Sequence, residues 1–484
     1  MALSSVTVRN NRTLGQDALG GGIYVAGAPV TLTGGTIENN LANGFAGFGG
    51  GLAAVNASVV MDQMAVSDNT ASFGGGGIYL DESEINLVDS LIDNNQIGSS
   101  GFGSGGGVLA VGSSQARLRQ VQIQNNRAVE GGGIKVHGGE LSIQRALIRS
   151  NVSNNSGGGA GVHVRDAELL IEDSALIENQ ASGSANAGGL YMENATGEII
   201  NSTFSGNVFG FRGAAINLFG SSELVLIHTT VAMNGPNSSE AIFLHTGSAL
   251  SMINSLVVGN GCGSFGNVTL INQNTLSSAA GCGTQITPEA EINLLPLTSL
   301  DDFRAHHPLG AGSVAINAAG NCIAEFGVDR DQRGEVRPGG GSAFCDAGAY
   351  ESQATATNEL SVSPTALQFG SVPVGEKGET KLLTLTNTGQ ASVDISAITR
   401  AGSNPGDFLF RFVGGSCIGP LLPGESCAVR LSFEPADVGV RTAAIQINSS
   451  APNSPQSVSL SGTGTLNEPG EDRIFSDRFQ SNGH

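Results

Sequence analysis

Six residues whose side chains can bind or cleave sugars recur at one spacing in the middle of the chain. Lys135, His163 and Tyr191 lie 28 positions apart, and two residues after each of them come His137, Arg165 and Glu193. Aromatic rings stack on sugar rings and charged groups hydrogen-bond sugar hydroxyls, so the set suits a polysaccharide. The pattern predicts a ligand-binding face made of these six residues and Tyr79.

Cleavage chemistry asks for more than this set contains. Glycoside hydrolysis uses two carboxylates at a defined separation, and Glu193 is the only carboxylate of the six. No residue is therefore assigned a catalytic role, and no cysteine or histidine cluster predicts a metal or cofactor. Two alternatives stay open: a polysaccharide lyase or glycoside hydrolase that uses the surface from Lys135 to Glu193, and an ordinary solvated strand face.

A repeat of 26 to 30 residues places these positions. Triple glycines precede a short apolar strand five times and then decay, while an asparagine in the same phase closes each unit; the triplets are Gly20–Gly22, Gly49–Gly51, Gly75–Gly77, Gly105–Gly107 and Gly131–Gly133, and the asparagines are Asn11, Asn40, Asn69, Asn95, Asn126, Asn151, Asn179, Asn207, Asn234 and Asn260. A fixed period of this length indicates stacked units that bury their apolar faces against one another. Alternating apolar residues predict that each unit is two or three short strands.

The repeat also predicts which side chains lie above one another. Glycine suits sharp corners, and asparagines stacked about 4.8 Å apart can bond to each other as a ladder. Because side chains alternate across a strand, one outward column reads Tyr24, Ala53, Tyr79, Leu109, Lys135, His163, Tyr191, Asn217 and Phe243. A second reads Asp81, Val111, His137, Arg165, Glu193, Phe219 and His245. Both columns are expected to lie on a flat, open sheet.

Residues 1–285 resemble the right-handed parallel β-helix of the pectate-lyase-like superfamily. In the style of the GGGI…N repeat they are closest to the coils of bacterial polymorphic outer-membrane proteins. The resemblance implies a surface protein, and for a lyase of the superfamily it implies a basic group beside acidic calcium ligands. The single carboxylate in the central set does not supply these.

Residues 286–351 resemble the choice-of-anchor Q module that often follows such a helix, which implies a C-terminal cap. The motifs are His307–Asn317, Asp329–Gly334 and Asp346–Glu351; Asn317 stands where family members usually carry aspartate. Polar residues 352–358 follow and are typical of a linker.

Residues 359–465 contain about seven short strands separated by turn residues, which predicts an immunoglobulin-like β-sandwich. Their motifs resemble choice-of-anchor D modules, relatives of the abnormal-spindle and hydin domains; the motifs are Phe369–Val372, Leu385–Gly389, Leu422–Cys427, Phe433–Pro435 and Leu460–Gly464. Residues 466–484 are predicted to be a flexible tail, and Asp472–Gln480 in it resembles a short sorting signal of secreted gammaproteobacterial proteins. The predicted fold class is all-β, a right-handed parallel β-helix followed by the sandwich.

Composition and cysteines place the protein outside the cytosol. Six cysteines form three local pairs, predicted as the disulfides Cys262–Cys282, Cys322–Cys345 and Cys417–Cys427. The chain begins in mid-repeat with no export signal, which predicts that a signal, first coils and an N-terminal cap precede it. A net charge of −20 disfavours nucleic acid and anionic membranes, and no apolar stretch is long enough for membrane insertion.

These expectations together describe a secreted or cell-surface bacterial protein, associated with the outer membrane. It would act in adhesion or glycan interaction without catalysis, with an extracellular polysaccharide or another surface protein as its partner. A purely structural spacer is the remaining alternative.

Overall fold

The computed structural model describes residues 1–98, 103–154, 158–235, 240–299, 301–353, 358–389, 391–413 and 416–466. They form two compact units: Met1–Gly340 with Phe344–Ala354, and Gly341–Ala343 with the described residues from 358 onward. Residues 354–357 of the predicted linker and residues 467–484 of the predicted tail lie outside the described residues.

Residues up to Ser277 in the first unit build a parallel β-helix with three sheets. The ten-stranded sheet contains Ile23–Ala26, Leu52–Val55, Ile78–Asp81, Val108–Val111, Ile134–His137, Val162–Arg165, Leu190–Glu193, Ile216–Phe219, Ile242–Leu244 and Cys262–Ser264. A seven-stranded sheet contains Arg12–Leu14, Leu41–Asn43, Thr70–Ala71, Gln96–Ile97, Arg127–Ala128, Val152–Ser153 and Gln180–Ala181. The apolar residues of each coil fill one continuous core.

The third sheet has nineteen strands, because in most coils a corner splits a long strand in two. Its strands are Ala2–Arg9, Pro29–Glu38, Ser58–Ser67, Glu84–Val88, Leu91–Asp93, Gln115–Arg119, Gln122–Gln124, Glu140–Gln144, Leu147–Arg149, Glu168–Glu172, Ala175–Ile177, Thr196–Ile200, Thr203–Ser205, Glu223–Ile227, Thr230–Ala232, Ala249–Ile253, Leu256–Val258, Thr269–Gln273 and Leu276–Ser277. Strands of successive coils pair in parallel, so equivalent residues lie one strand spacing apart.

The predicted asparagine ladder is present from Asn11 to Asn234. Nδ2 of Asn126 donates to Oδ1 of Asn151 at 3.0 Å and to the Ile92 carbonyl at 3.0 Å, and the same pair of bonds repeats along the buried rungs. Asn260 departs from the pattern, since its Nδ2 donates to the Asn234 main-chain oxygen. The ladder satisfies buried main-chain groups at every corner, as buried polar groups require.

The left-handed corner residue is the one before each ladder asparagine. Positive φ values of 52° or more occur there in residues of several types: Asn10, Asn39, Asp68, Asn94, Asn125, Ser150, Glu178, Gly206 and Met233. In the glycine triplets only the first glycine has positive φ, for example Gly75 at 59°. The second and third are glycine for lack of space: a Cβ on Gly76 would lie 2.4 Å from the Gly106 carbonyl oxygen of the next coil.

The end of the helix core is closed by the loop that follows the last coil. Cys262 and Cys282 are bonded, and both are buried in the core of the helix. Nδ2 of Asn272 donates to the Cys282 carbonyl at 2.5 Å. The loop therefore packs against the last coil.

Residues 286–351 lie along the side of the helix. They contain two short helices, Glu289–Ile292 and Cys322–Phe326, and the Cys322–Cys345 disulfide. His307 Nε2 bonds to Ser205 Oγ at 2.9 Å, and Gln332 accepts from Thr203 Oγ1 at 2.6 Å. The buried Arg337 guanidinium pairs with Glu351 at 2.8 Å and donates to Asn201 Oδ1 at 3.4 Å. The segment therefore covers the outer face of several coils, a lateral position that differs from the end cap implied by the resemblance.

The second unit is a β-sandwich of two sheets. One sheet is ordered Leu360–Ser363, Lys381–Asn387, Ser426–Phe433 and Phe408–Val413; the other is ordered Ala366–Pro373, Gln456–Thr465, Gly439–Ser449, Val393–Ala401 and Gly419–Leu421. A 3₁₀ turn spans Pro405–Asp407. Phe408 and Phe433 stack at 4.9 Å in its core. The third predicted disulfide, Cys417–Cys427, is also formed. Because both units are built almost entirely of strands, the predicted all-β fold class is confirmed.

Candidate functional site

The ten-stranded sheet aligns the predicted site residues as the repeat requires. Lys135 pairs in register with His163 and His163 with Tyr191; His137 pairs with Arg165 and Arg165 with Glu193. Tyr79 belongs to the first column, two coils before Lys135. The two columns therefore exist, and they differ in exposure.

The first column is covered, so the expectation of an open face is wrong for most of it. The chain passes over the sheet four positions before each strand begins, through a line of residues that pair coil to coil: Phe48, Gly74, Ser104 and Glu130, followed by Gly158 and Asn186. Beneath this line Tyr79 is 7% exposed, Lys135 8% and His163 3%. Tyr24, at the first coil, stays 52% exposed.

Lys135 is held by the covering residues. Its Nζ forms an ion pair with Glu130 and donates to Ser104 Oγ at 3.2 Å. Burial pushes the pKa of Glu130 up, but the ammonium of Lys135 outweighs it and brings that pKa below its usual range. The ammonium is therefore fully engaged by a carboxylate within the protein.

His163 is neutral in this environment. Burial, and then the Lys135 charge, lower its pKa to about 3. Among the described residues neither ring nitrogen of His163 has a well-formed hydrogen bond. The nearby Gly158 backbone raises the pKa of His163, but by less than burial and the Lys135 charge lower it. The ring meets Tyr191 edge to face at 4.9 Å, and burial raises the pKa of Tyr191 far above its usual range.

Tyr79 is stacked rather than presented to solvent. Its ring lies 4.6 Å from that of Phe48, and burial followed by the Asp81 charge raises its pKa to about 12. It therefore packs under the covering line as part of a small apolar cluster.

The second column remains accessible and forms a charge network. His137 Nε2 lies 3.4 Å from Asp166 Oδ2, to which Arg165 Nε also donates at 3.4 Å. Arg165 Nη2 lies 3.7 Å from Glu193 Oε1. The side chains of His137, Asp166 and Arg165 are 51%, 48% and 44% exposed. The geometry brings together three predicted residues and one that the sequence did not assign.

Asp166 also reaches an open groove at the neighbouring corner. The groove has a volume of about 440 Å³ and is lined by Ser113, Gln115, Gly139, Glu140, Asp166, Ala167, Glu168, Asn194 and Thr196. Glu140 and Glu168 pair in register on adjacent coils. This lining can hydrogen-bond sugar hydroxyls and disfavours a polyanion.

Sequence reasoning missed Ser104, Glu130 and the groove residues. The covering residues stand four positions before each strand begins, yet they share no residue type, so the repeat does not single them out. The groove lies at a corner between two sheets, whereas the predicted columns lay on one.

Neither a metal-binding cluster nor a membrane-spanning helix is present in the parts of the chain that the structure describes. There, no three histidine, cysteine or acidic residues converge as metal ligands would. None of the helices there combines the length and the apolar character that a bilayer-crossing helix needs.

Two protein families match this chain, one over the helix and the other over the sandwich. The model of the family described as right-handed beta helix region matches residues 2–146 and 106–294, which together exceed half the chain. The model of Cep192 domain 4 matches residues 357–465. No curated protein matches.

Solved structures give only partial likenesses. A protein of unknown function from Porphyromonas gingivalis is 19% identical over 22% of this chain, with a TM-score of 0.19, and the chain covers 47% of it. The ASH/PapD-like domain 7 of human CEP192 is 20% identical over 23% of this chain and 89% of its own length, with a TM-score of 0.17. The secreted serine protease VesC from Vibrio cholerae is 22% identical over 22% of this chain and 23% of its own, with a TM-score of 0.18.

Proposed function

The chain belongs to the right-handed β-helix family, and we propose that it is an extracellular or cell-surface protein that binds a polysaccharide without cleaving it. Three disulfides support an oxidising compartment. The assignments of residues 286–351 and 359–465 to choice-of-anchor modules are part of the same proposal, as is association with the outer membrane.

The observation that carries the proposal is the division of the two columns. Lys135 and His163, two of the groups that could act as a base, lie under the covering line, and Lys135 is paired with Glu130. His137, Arg165 and Asp166 lie beside an open groove. A general base must reach the proton that it removes, whereas a binding surface needs only accessible hydrogen-bonding groups.

The ligand that suits the groove is a neutral or amino-sugar polymer. Glu140, Asp166 and Glu168 give its lining a negative charge, which repels uronate chains. Serine, asparagine and threonine side chains add neutral hydrogen-bonding groups. Arg165 and His137 at its border offer donors to ring oxygens and hydroxyls.

A glycoside hydrolase is the second candidate, favoured by one observation. Glu140 and Glu168 stand one strand spacing apart, about 4.8 Å between backbones, near the separation of carboxylates in retaining enzymes. Both side chains are exposed, whereas a catalytic acid is usually held in an apolar setting that keeps it protonated. The exposure favours binding over hydrolysis.

Incubation with polysaccharide pools separates these functions. The protein is mixed with neutral glucans, chitosan, pectin, alginate and glycosaminoglycans; binding is followed by affinity electrophoresis, and cleavage by new reducing ends or unsaturated uronates. We expect retardation by a neutral or amino glycan without products. Arg165→Ala and Glu168→Gln should weaken it at least fivefold, while Arg119→Ala, at an exposed position four residues along the strand from the groove residue Gln115, should not.

Product formation abolished by Glu140→Gln or Glu168→Gln would establish the hydrolase instead. Failure to bind any glycan in the groove would favour a structural spacer, the role that the continuous asparagine ladder alone supports.

A further inference from the structure

The outer face of the four-stranded sheet in the sandwich has an unusual composition. Strand alternation and pairing place twelve hydroxyl, apolar or arginine side chains on it, among them Thr384, Thr386, Ser426, Arg411 and Arg430. None of these twelve positions is acidic, in a chain whose net charge is −20. All charged side chains on this face are therefore positive, and they lie among hydroxyl and apolar side chains.

Two arginines stand opposite each other at one side of this face. Arg411 on Phe408–Val413 pairs in register with Arg430 on Ser426–Phe433, and both are exposed. Elsewhere in the sandwich Arg441 binds Asp407 at 2.6 Å. Arg411 and Arg430 have no such carboxylate partner among the described residues.

Opposed like charges on neighbouring strands destabilise a sheet. An arginine pair without a carboxylate thus lowers stability unless an anion joins it, and planar guanidinium groups bind carboxylate, sulfate and phosphate in two-point fashion. Arg411 also lies on an edge strand, so one side of the pair is open.

The surrounding charge permits an anionic ligand. From Glu359 to Arg441 the sandwich has eight acidic and six basic residues, so it is nearly neutral. Charge on the rest of the chain is screened over roughly 8 Å at physiological ionic strength.

We propose that this face is an anion-binding surface for an acidic polysaccharide, with Arg411 and Arg430 binding its carboxylate or sulfate groups. Hydroxyls of Thr384, Thr386 and Ser426 lie on the same flat face, and Thr386 and Ser426 already bond to each other at 2.8 Å. These hydroxyls can bond the hydroxyl groups of a sugar chain while the arginines bind its anionic groups. The site is separate from the groove of the helix and does not depend on it.

The test uses the full chain and heparin, polygalacturonate and dextran as probes, with binding measured by calorimetry at 50 and 300 mM salt. We expect the protein to bind an acidic glycan, with an affinity that falls as the salt concentration rises. Any binding of dextran should not depend on the two arginines. Arg411→Gln/Arg430→Gln should reduce affinity at least tenfold. Lys377→Gln, which removes an exposed charge from a turn of the same sandwich, should leave affinity within twofold.

Stability gives a second readout. Because the double substitution removes a repulsive pair, its melting temperature should equal or exceed that of the parent. Loss of binding with retained stability supports the site. The proposal is overturned if the parent and the double variant bind acidic glycans equally well, or if the parent binds none. It is also overturned if the arginines bind polyglutamate or phosphatidylglycerol vesicles while neither acidic glycan binds. Arginine-dependent self-association in sedimentation without glycan binding overturns it as well.

Discussion

Replacing Asn126 by alanine should destabilise the β-helix far more than the same change at Asn11. Asn126 stands inside the ladder and is fully buried. Its Nδ2 donates to Asn151 Oδ1 and to the Ile92 carbonyl, each at 3.0 Å, and its Oδ1 accepts from the main-chain and side-chain nitrogens of Asn95 at 2.9 and 3.0 Å. Asn11, at the first rung, makes one ladder bond with its side chain, to Asn40 at 3.0 Å.

The magnitude follows from these bonds. A hydrogen bond contributes roughly 1 kcal/mol net, and each buried group left without a partner adds about 1–3 kcal/mol. Four lost bonds, together with two buried groups left unpaired, the Ile92 carbonyl and the Asn95 main-chain N–H, predict a loss of about 6–10 kcal/mol for Asn126→Ala. The single part-buried bond of Asn11 predicts about 1 kcal/mol or less.

Tyrosine fluorescence during urea unfolding can measure this difference. The chain has no tryptophan, and its four tyrosines, Tyr24, Tyr79, Tyr191 and Tyr350, all belong to the first unit, so the sandwich does not contribute. Slopes and midpoints give the free energy for each variant. If Asn126→Ala and Asn11→Ala lost similar amounts, the ladder would be a consequence of stacking rather than a source of stability.

Two further changes test other parts of the first unit. Arg337→Met leaves Glu351 buried without its cation and should cost about 3–5 kcal/mol in urea unfolding; Arg304→Met, which removes an exposed pair with Asp302, should cost under about 1 kcal/mol, and similar losses would contradict the argument. His163 has its folded pKa lowered to about 3 from an ordinary 6.5, so its neutral form contributes stability that is lost as pH falls from about 6.5 toward 3. Relative to His163→Gln, the parent should lose about 2.5 kcal/mol between pH 6.5 and 4.5; parallel pH profiles would refute the neutral, buried state.

The repeat made the helix predictable because its constraints act on the backbone. A glycine whose Cβ would strike the next coil, such as Gly76, and an asparagine that bonds its equivalent one coil on, such as Asn126, must recur in phase. Local cysteine pairs were predictable for a similar reason, since each joins residues 10 to 23 positions apart. Alternating strands and turns predicted the sandwich in the same way.

The lateral position of residues 286–351 was beyond sequence reasoning. The contacts that hold this segment join residues far apart in sequence: Arg337 to Asn201 across 136 positions and His307 to Ser205 across 102. Their partners, serine and asparagine, resemble any solvated strand residue until the segment covers them. Only the folded chain shows that these polar positions are buried.

The exposure of the site could not be predicted because it depends on two different coils. In the covered part of the first column, side chains contact covering residues of neighbouring coils. A Cβ on Gly74 would lie 2.4 Å from Leu109, and one on Gly158 would lie 2.9 Å from the ring of Tyr191, so glycine leaves room where the next coil has a large side chain. Where the column has Lys135, the covering residues are Ser104 and Glu130, which bond to it. Most of the first column is therefore a packed layer whose side chains are unavailable to a ligand. The side chains that remain accessible for binding are those of His137, Arg165 and Asp166.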